Sequence, residues 1–435
     1  MKKLKGDAYL TYIDLFAGAG GLSEGFIRAG FNDVAHIEMN PDAANTLRTR
    51  LVYWHLKRNN NLETYYSYIR GCISREGLYN NVPADVLSSV LNYTMSDSNI
   101  KDIFKLVDEK LKTKEGKQKV NLIIGGPPCQ AYSLVGRAKQ RMKDDALKSK
   151  DPSADDERKY LYRVYCMFLQ RYKPDMFVYE NVPGLLSADG GKHWQDIQDM
   201  LRSSGYEIEH KELNARDFGV PQERKRIIII GRRKQKKFSY PDFQAVTPTW
   251  TVADILSDLP SIQSGEQKNK YRRKEPHQYV NDNLRMAEDV LSWHIARPNI
   301  EQDREIYRLA IREWCYRGQH RRLRYQDIPE ELRTHNNTTD FADRFKVVAP
   351  DLPYCHTVLA HLSKDGHYFI HPDRKQARSI TVREAARLQS FPDSYYFEGS
   401  RTAVFTQIGN AVPPLMSQRI AEALRDQLLK NKVYR

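Results

Sequence analysis

From Tyr9 the chain runs through a continuous apolar stretch, YLTYIDLF, into a glycine-rich turn and then an amphipathic pattern, LSEGFIRAGF, which Gly30 closes. Apolar positions without alternation predict a strand buried on both faces, and the spacing after the turn predicts a helix. A second strand, DVAHIEMN, follows, and Pro41 opens another helix. The alternation returns with VNLIIGG, a helix from about Lys159 to Gln170, PDMFVYENV, a helix ending near Gly205, and the strand RKRIIIIGR. Such runs belong to a sheet covered by helices on both sides, so the expected fold class is α/β, with a doubly wound, mostly parallel sheet.

Two stretches break this rhythm. Residues from about 52 to 119, with NNNLETYYSYIR and KTKEGKQK, read as a polar and aromatic insertion around one or two helices, not as core. Residues 232–375 carry the basic runs RRKQKK, YRRK and QHRRLRY, and read as a second, smaller domain set between residues 1–231 and 376–435. Within it DREIYRLAIREWCYRG is apolar at Ile306, Leu309, Ala310 and Trp314, a helical stripe that suits a core and is ended by Gly318. The pattern TVREAARLQSF and a final helix from near Pro413 complete the chain.

Charge changes the picture. Lys and Arg number 69 against 55 Asp and Glu, a formal net charge of +14, which favours a polyanionic partner. No run approaches the roughly 18 apolar residues of a membrane span. No apolar core follows the basic start MKKLKGDAYL, so a cytoplasmic location without a membrane partner is expected. The five cysteines form no CxxC pair, and the histidines from His294 to His371 show no metal-ligand pattern. Disulfides and metal are therefore not expected, and these histidines read as surface or loop residues.

Candidate chemistry gathers where strands end. DLFAGAGG (Asp14 to Gly21) sits at a strand-to-helix turn, where glycines let a ligand approach the backbone at the carboxyl edge of a parallel sheet. It is neither GxGxxG nor a GK[ST] loop, which disfavours a phosphate cradle. Glu38 ends the next strand, where a carboxylate can accept ribose hydroxyls, so the pair suits an adenosine-containing cofactor. In GGPPCQAYS, Cys129 follows a buried strand directly. A lone cysteine is by default a small buried hydrophobe, but Pro127 and Pro128 stiffen its approach and Gln130, Tyr132 and Ser133 mark a polar loop. A nucleophile is the favoured reading. Glu180 ends another apolar strand, where a carboxylate needs a partner or a task. Arg224 and Arg226, two apart, point to one side of theirs and could supply that partner or bind a substrate oxygen.

With these segments in this order the chain resembles the C5-cytosine DNA methyltransferases over most of its length. The motifs are DLFAGAGGLSEGF, GGPPCQAYS, ENV from Glu180, QERKRIIIIG from Gln222, RSITVREAARLQSFPDSY from Arg378 and QIGNAVPP from Gln407. The resemblance implies a Rossmann-like S-adenosylmethionine-dependent fold with residues 232–375 as the DNA target-recognition domain. It makes Cys129 the thiolate that adds to cytosine carbon 6, Glu180 the partner of N3 and the exocyclic amine, Arg226 the partner of O2, and Arg224 a residue ordering the cysteine loop. S-adenosyl-L-methionine is the implied cofactor and S-adenosyl-L-homocysteine its product. Phe16 would lie against the adenine, with Ala17, Gly18, Ala19, Gly20 and Gly21 forming the turn and Glu38 and Met39 at the ribose. Asp102 and Ile103 would meet the adenine edge, although NIKDI replaces the usual Gly-Asp-Ile and Asp97 competes. Pro128, Leu161 and Asn410 would surround the methionine end, with Gly126 and Val412 completing the set.

The implied partner is double-stranded DNA with the target base flipped out. Contacts would come from Gln130, Ser133 and Arg137 of the cysteine loop, from Gln222, and from Arg232, Arg233, Arg272, Arg273, Arg321, Arg322 and Arg324 of the basic runs. A monomer is expected, and family habit adds a companion restriction endonuclease or defence-system proteins as partners. A nicotinamide or flavin oxidoreductase would leave Cys129, Glu180 and the arginine pair unexplained. The rival within the family methylates cytosine in transfer RNA; a large basic recognition region favours DNA.

Overall fold

The apolar runs form the centre of a seven-stranded sheet in the computed structural model, which describes residues 9–113, 116–128, 153–234, 239–272, 275–333 and 343–433. The strands are β1 (Thr11–Leu15), β2 (Asn32–Glu38), β3 (Val90–Asn92), a separate short ribbon of β4 (Lys112–Thr113) and β5 (Gly116–Lys117), then β6 (Leu122–Gly125), β7 (Met176–Asn181), β8 (Tyr206–Asn214) and β9 (Lys225–Arg233). The sheet order is β3-β2-β1-β6-β7-β9-β8. Pairing is parallel from β3 through β7, and β9 runs antiparallel between β7 and β8.

Alternate residues divide between the two faces. Ile13, Ile37, Ile123, Tyr179, Ile227 and Ile229 join one core cluster, with the helices Ile100–Lys110, Ser153–Tyr172 and Lys192–Ser203. Tyr12, Leu122, Ile124, Val178, Ile228 and Ile230 join the other, with the helices Gly21–Arg28, Pro41–Arg58 and Pro414–Val433. Each fully buried isoleucine contributes roughly 1.5–3 kcal/mol, so the run in β9 anchors the reversed strand firmly.

Three differences from the sequence reading have physical causes. β8, not anticipated, is an edge strand whose outer residues are charged, so it lacks the apolar run that marks its neighbours. Residues 52–119 are more than a polar insertion: their second half supplies β3 and a helix whose Ile100, Ile103, Phe104 and Val107 are core. Its tyrosines also brace distant segments, Tyr65 donating to the Ser394 carbonyl at 2.7 Å and Tyr66 to Asp289 at 2.8 Å. His294 and His371 are buried, not at the surface, and His294 spans Thr381 and the Pro260 carbonyl.

The helix Glu301–Cys315 keeps the expected stripe and packs with Tyr325, Phe345 and Ile370 in a cluster of its own. Residues 252–291, by contrast, share one cluster with 348–408, centred on the helix Val382–Leu388. The division drawn at residue 375 therefore falls within a single packed unit. That helix is held by buried ion pairs: Arg378 with Glu384 at 2.7 Å, and Arg387 with Asp258 at 2.5 Å and Asp393 at 2.6 Å. No described helix is long and apolar enough to cross a membrane.

Candidate active site

The ends of β1, β2, β6 and β7 share the carboxyl edge of the parallel strands, and the reversal of β9 brings its beginning to that same edge. After β1 the chain turns sharply. Phe16 has φ 57°, a conformation a non-glycine side chain rarely adopts, and marks a turn held by its surroundings. Gly18, with φ 55°, faces open space, so a ligand can approach its backbone there. The Glu38 carboxylate accepts from the Gly18 N–H and the Asn40 N–H, each at 2.7 Å, which aims it along the turn. Burial raises its pKa, and the amide donors oppose that rise. Acceptor capacity beyond these backbone donors remains for a hydroxyl of a ribose, so this cradle fits an adenosine.

The other residues expected at the cofactor separate into two groups. Ala17, Ala19, Gly20, Gly21 and Val412 are buried supports: the Ala19 carbonyl accepts from Tyr395, and Gly21 packs against the Val412 carbonyl. Phe16, Met39, Asp102, Pro128, Leu161 and Asn410 are partly or fully exposed. Phe16 rests against the cluster that contains Ile103, while Asp102 stands exposed in the first turn of the next helix.

Asp14, beneath this turn, is buried and accepts a hydrogen bond from Ser23. Burial pushes its carboxyl up to about 8; Ser23 works against the rise, and Glu38 adds to it. The unfolded chain loses this proton near the ordinary carboxyl value of 3.8 while the folded chain keeps it, so the stability Asp14 confers is present below about pH 4 and is lost as pH rises to about 8. Asp14→Asn should remove a slope of about 1.4 kcal/mol per pH unit from urea-unfolding free energies over that window. An unchanged slope would mean that Asp14 is ionised in the fold.

At the end of β7, Glu180 Oε1 lies 2.7 Å from Arg226 Nε, and both side chains are only partly accessible. Asn181, which the sequence reading passed over, donates to the Pro127 carbonyl at 3.3 Å and so ties the approach to Cys129 to β7. Its adjacency to Glu180 was the available signal. Gly126 is close packed for a related reason: a Cβ there would press on Glu180 Oε2. Gly126→Ala should lower the rate of the methyl transfer that the resemblance implies roughly 100-fold by displacing that carboxylate, with unchanged thermal unfolding. Wild-type turnover would show that Glu180 need not stand where it does.

Other expectations are corrected. Arg224 does not pair with Glu180. It is fully buried, donating to the carbonyls of Val358 and Gly409, each at 2.8 Å, and so positions the chain beside Asn410. Burial, and then the Arg226 cation, hold its guanidinium well below the usual pKa. Gln222 is also buried, donating to the Leu388 carbonyl and accepting from the Val358 N–H, so it braces the fold and is not placed to touch DNA. Arg232 is buried too, and with the exposed Arg233 it stands at the far end of β9, about 20 Å of extended strand from Arg226. Neither belongs to this edge. Arg272, Arg321, Arg322 and Arg324 are exposed. Cys129, Gln130, Ser133, Arg137 and Arg273 lie outside the described residues. Among the described residues no group of three or more His, Cys, Asp or Glu could hold a metal ion.

A family model described as C-5 cytosine-specific DNA methylase matches residues 10–61 and 87–426. The chain is 42% identical to the type II methyltransferase M.Bpa9945I of Bacillus paralicheniformis, over 96% of this chain and 99% of the relative. It is 30% identical to the type II methyltransferase M1.HphI of Haemophilus parahaemolyticus, over 95% and 86%. Among solved structures, a candidate DNA modification methyltransferase encoded within an E. coli prophage shares the fold, with a TM-score of 0.60 at 22% identity over 96% of this chain and 99% of that one. Carried by the Glu180–Arg226 edge and by this match along nearly its whole length, the chain belongs to the C-5 cytosine-specific DNA methylase family.

Proposed function

We propose that the protein methylates carbon 5 of a cytosine within a specific duplex DNA sequence, acting as a monomer, and that it is the modification enzyme of a bacterial restriction-modification or phage-defence system. The observation that carries this reading is the Glu180–Arg226 pair, 2.7 Å apart, at the sheet edge onto which the GGPP segment before Cys129 also runs.

S-adenosylmethionine, the methyl donor of this family, supplies an electrophilic methyl group on a sulfonium when bound. Phe16, Gly18 and Glu38 are the residues that would hold its adenosine, with Pro128, Leu161 and Asn410 toward the methionine end. The target base must leave the duplex to reach this edge. Cys129 thiolate then adds to carbon 6, and the ring electrons displaced from the 5,6 double bond make carbon 5 a nucleophile. Arg226 binds O2 and also holds Glu180 Oε1, leaving Glu180 Oε2 to meet N3 and the exocyclic amine. A carboxylate there favours a proton on N3 and so favours thiolate addition. After transfer, loss of the carbon 5 proton and departure of the thiolate restore the aromatic ring. Within residues 232–375, the part around the helix Glu301–Cys315, which has a core cluster of its own, serves target recognition.

The test is transfer of labelled methyl from S-adenosylmethionine to unmethylated duplex DNA and, in parallel, to unmodified transfer RNA, followed by bisulfite sequencing of whichever is labelled. Label in DNA at one recurring sequence is expected. Label only in RNA would overturn the DNA assignment. The defence role predicts a nuclease or defence gene beside this one, whose cleavage the methylated sequence resists.

A further inference from the structure

Between the helix Glu301–Cys315 and residues 343–356 lies a cavity of about 240 Å³. It is smaller than the roughly 300–1,000 Å³ that drug-sized ligands fill, and suits a single planar heterocycle. Trp314, Phe345, Tyr354 and His356 line it, and Arg321 and Arg322 stand at its rim. The aromatic walls are fixed. The Trp314 indole donates to Asp351 at 3.3 Å and stacks on His320 with centroids 5.0 Å apart, and Arg216 lies 5.2 Å over the Tyr354 ring. His356 Nε2 is 2.5 Å from the Tyr368 carbonyl, which only accepts, so Nε2 carries the ring proton. Burial holds the ring pKa down to about 4, which leaves Nδ1 a bare acceptor at neutral pH.

The rim is cationic and weakly neutralised. Arg321 reaches Glu313 and Asp327 only at 3.7 and 3.8 Å, Arg322 reaches Asp343 only at 3.7 Å, and their side chains are 58% and 59% exposed. Ion pairs this long and exposed contribute little, so phosphates can replace them. The position matters as much. Glu223 also lines the cavity, and Arg226 follows three residues later, about 10 Å of extended chain. At roughly 3.4 Å per nucleotide along a strand, that is about three nucleotides from the Glu180–Arg226 edge.

We propose that this cavity takes a second base of the recognition sequence, unstacked from the duplex within a few nucleotides of the target cytosine, with Arg321 and Arg322 on its flanking phosphates. This rests on the DNA-methylation reading above. Aromatic walls stack with any base, whereas the acceptor on His356 and the Glu223 oxygen left over from its 2.5 Å ion pair with Arg216 select a base that presents N–H donors at its edge. Reading within a groove would need protruding side chains; a recessed site needs a base that comes to it.

Once the methylated sequence is mapped, each of its positions is mispaired in turn by changing the opposite base, and binding to the full-length protein is measured by fluorescence anisotropy. Mispairing lowers the cost of extruding a base, so binding should tighten about tenfold at the target cytosine and at one further position. Trp314→Ala, or Tyr354→Ala should the first variant fold poorly, should abolish the tightening at the further position and keep it at the target, where it also reports a folded protein. Arg322→Ala should weaken all duplexes alike and lower the salt slope by about one. Tightening at the target alone, or a second position indifferent to both aromatic variants, overturns the role of the cavity. No tightening at the target overturns the base-extrusion reading itself.

Discussion

Cys129→Ala loses methyl transfer by roughly 10⁴-fold or more, while its affinity for duplex DNA stays within about threefold of wild type. The two effects separate because they have different origins. Affinity comes mainly from cations on phosphates, whereas in the proposed mechanism activation of the ring depends on one sulfur. No other described cysteine can stand in: burial pushes the thiols of Cys166 and Cys355 up to about 11 and about 12, which keeps them protonated. Cys72 and Cys315 are exposed, but they belong to the helical insertion and to the end of the helix Glu301–Cys315, not to the carboxyl edge of the sheet. A duplex carrying 5-fluorocytosine at the target gives a second readout, because fluorine cannot leave as the carbon 5 proton does. The wild-type chain should remain covalently attached to it in a denaturing gel, and Cys129→Ala should not. Retained turnover, or a retained adduct, would remove Cys129 from the mechanism.

Much of this site is legible in the sequence because strand ends announce themselves. Glu38 and Glu180 each close an apolar run, and parallel strands with helical crossovers must bring such ends to one edge. The arginines needed more. That Arg226 and not Arg224 meets Glu180 depends on the antiparallel course of β9 and on how each guanidinium is packed, and two residues on the same face of a strand look alike in a sequence. Basic runs mislead for the same reason. Arg232 reads as one more surface cation, yet β9 continues through it and buries it. The insertion was misjudged because period and polarity are averaged over a long segment: its tyrosines are bound by side-chain hydrogen bonds to residues more than 200 positions away, and no local pattern encodes such partners.

Glu180→Gln should lower the single-turnover methylation rate by about 10²–10³-fold, and Arg226→Ala by a similar factor. Glutamine keeps the shape but not the charge, so it no longer favours a proton on N3, and the ring becomes a poorer target for the thiolate. Alanine at 226 removes both the proposed contact to O2 and the 2.7 Å partner that holds Glu180 Oε1. Because each variant disables the same unit, the double variant should lose far less than the product of the single losses. The pair is not fully buried, with side chains 11% and 13% exposed, so thermal unfolding should shift only modestly, which separates a catalytic loss from an unfolded chain. Binding of S-adenosylmethionine, measured by calorimetry, should be unchanged in all three variants, since Phe16, Gly18 and Glu38 are untouched. Multiplicative losses would mean that Glu180 and Arg226 act independently on the base. Wild-type rates in either single variant would place the chemistry elsewhere on this edge.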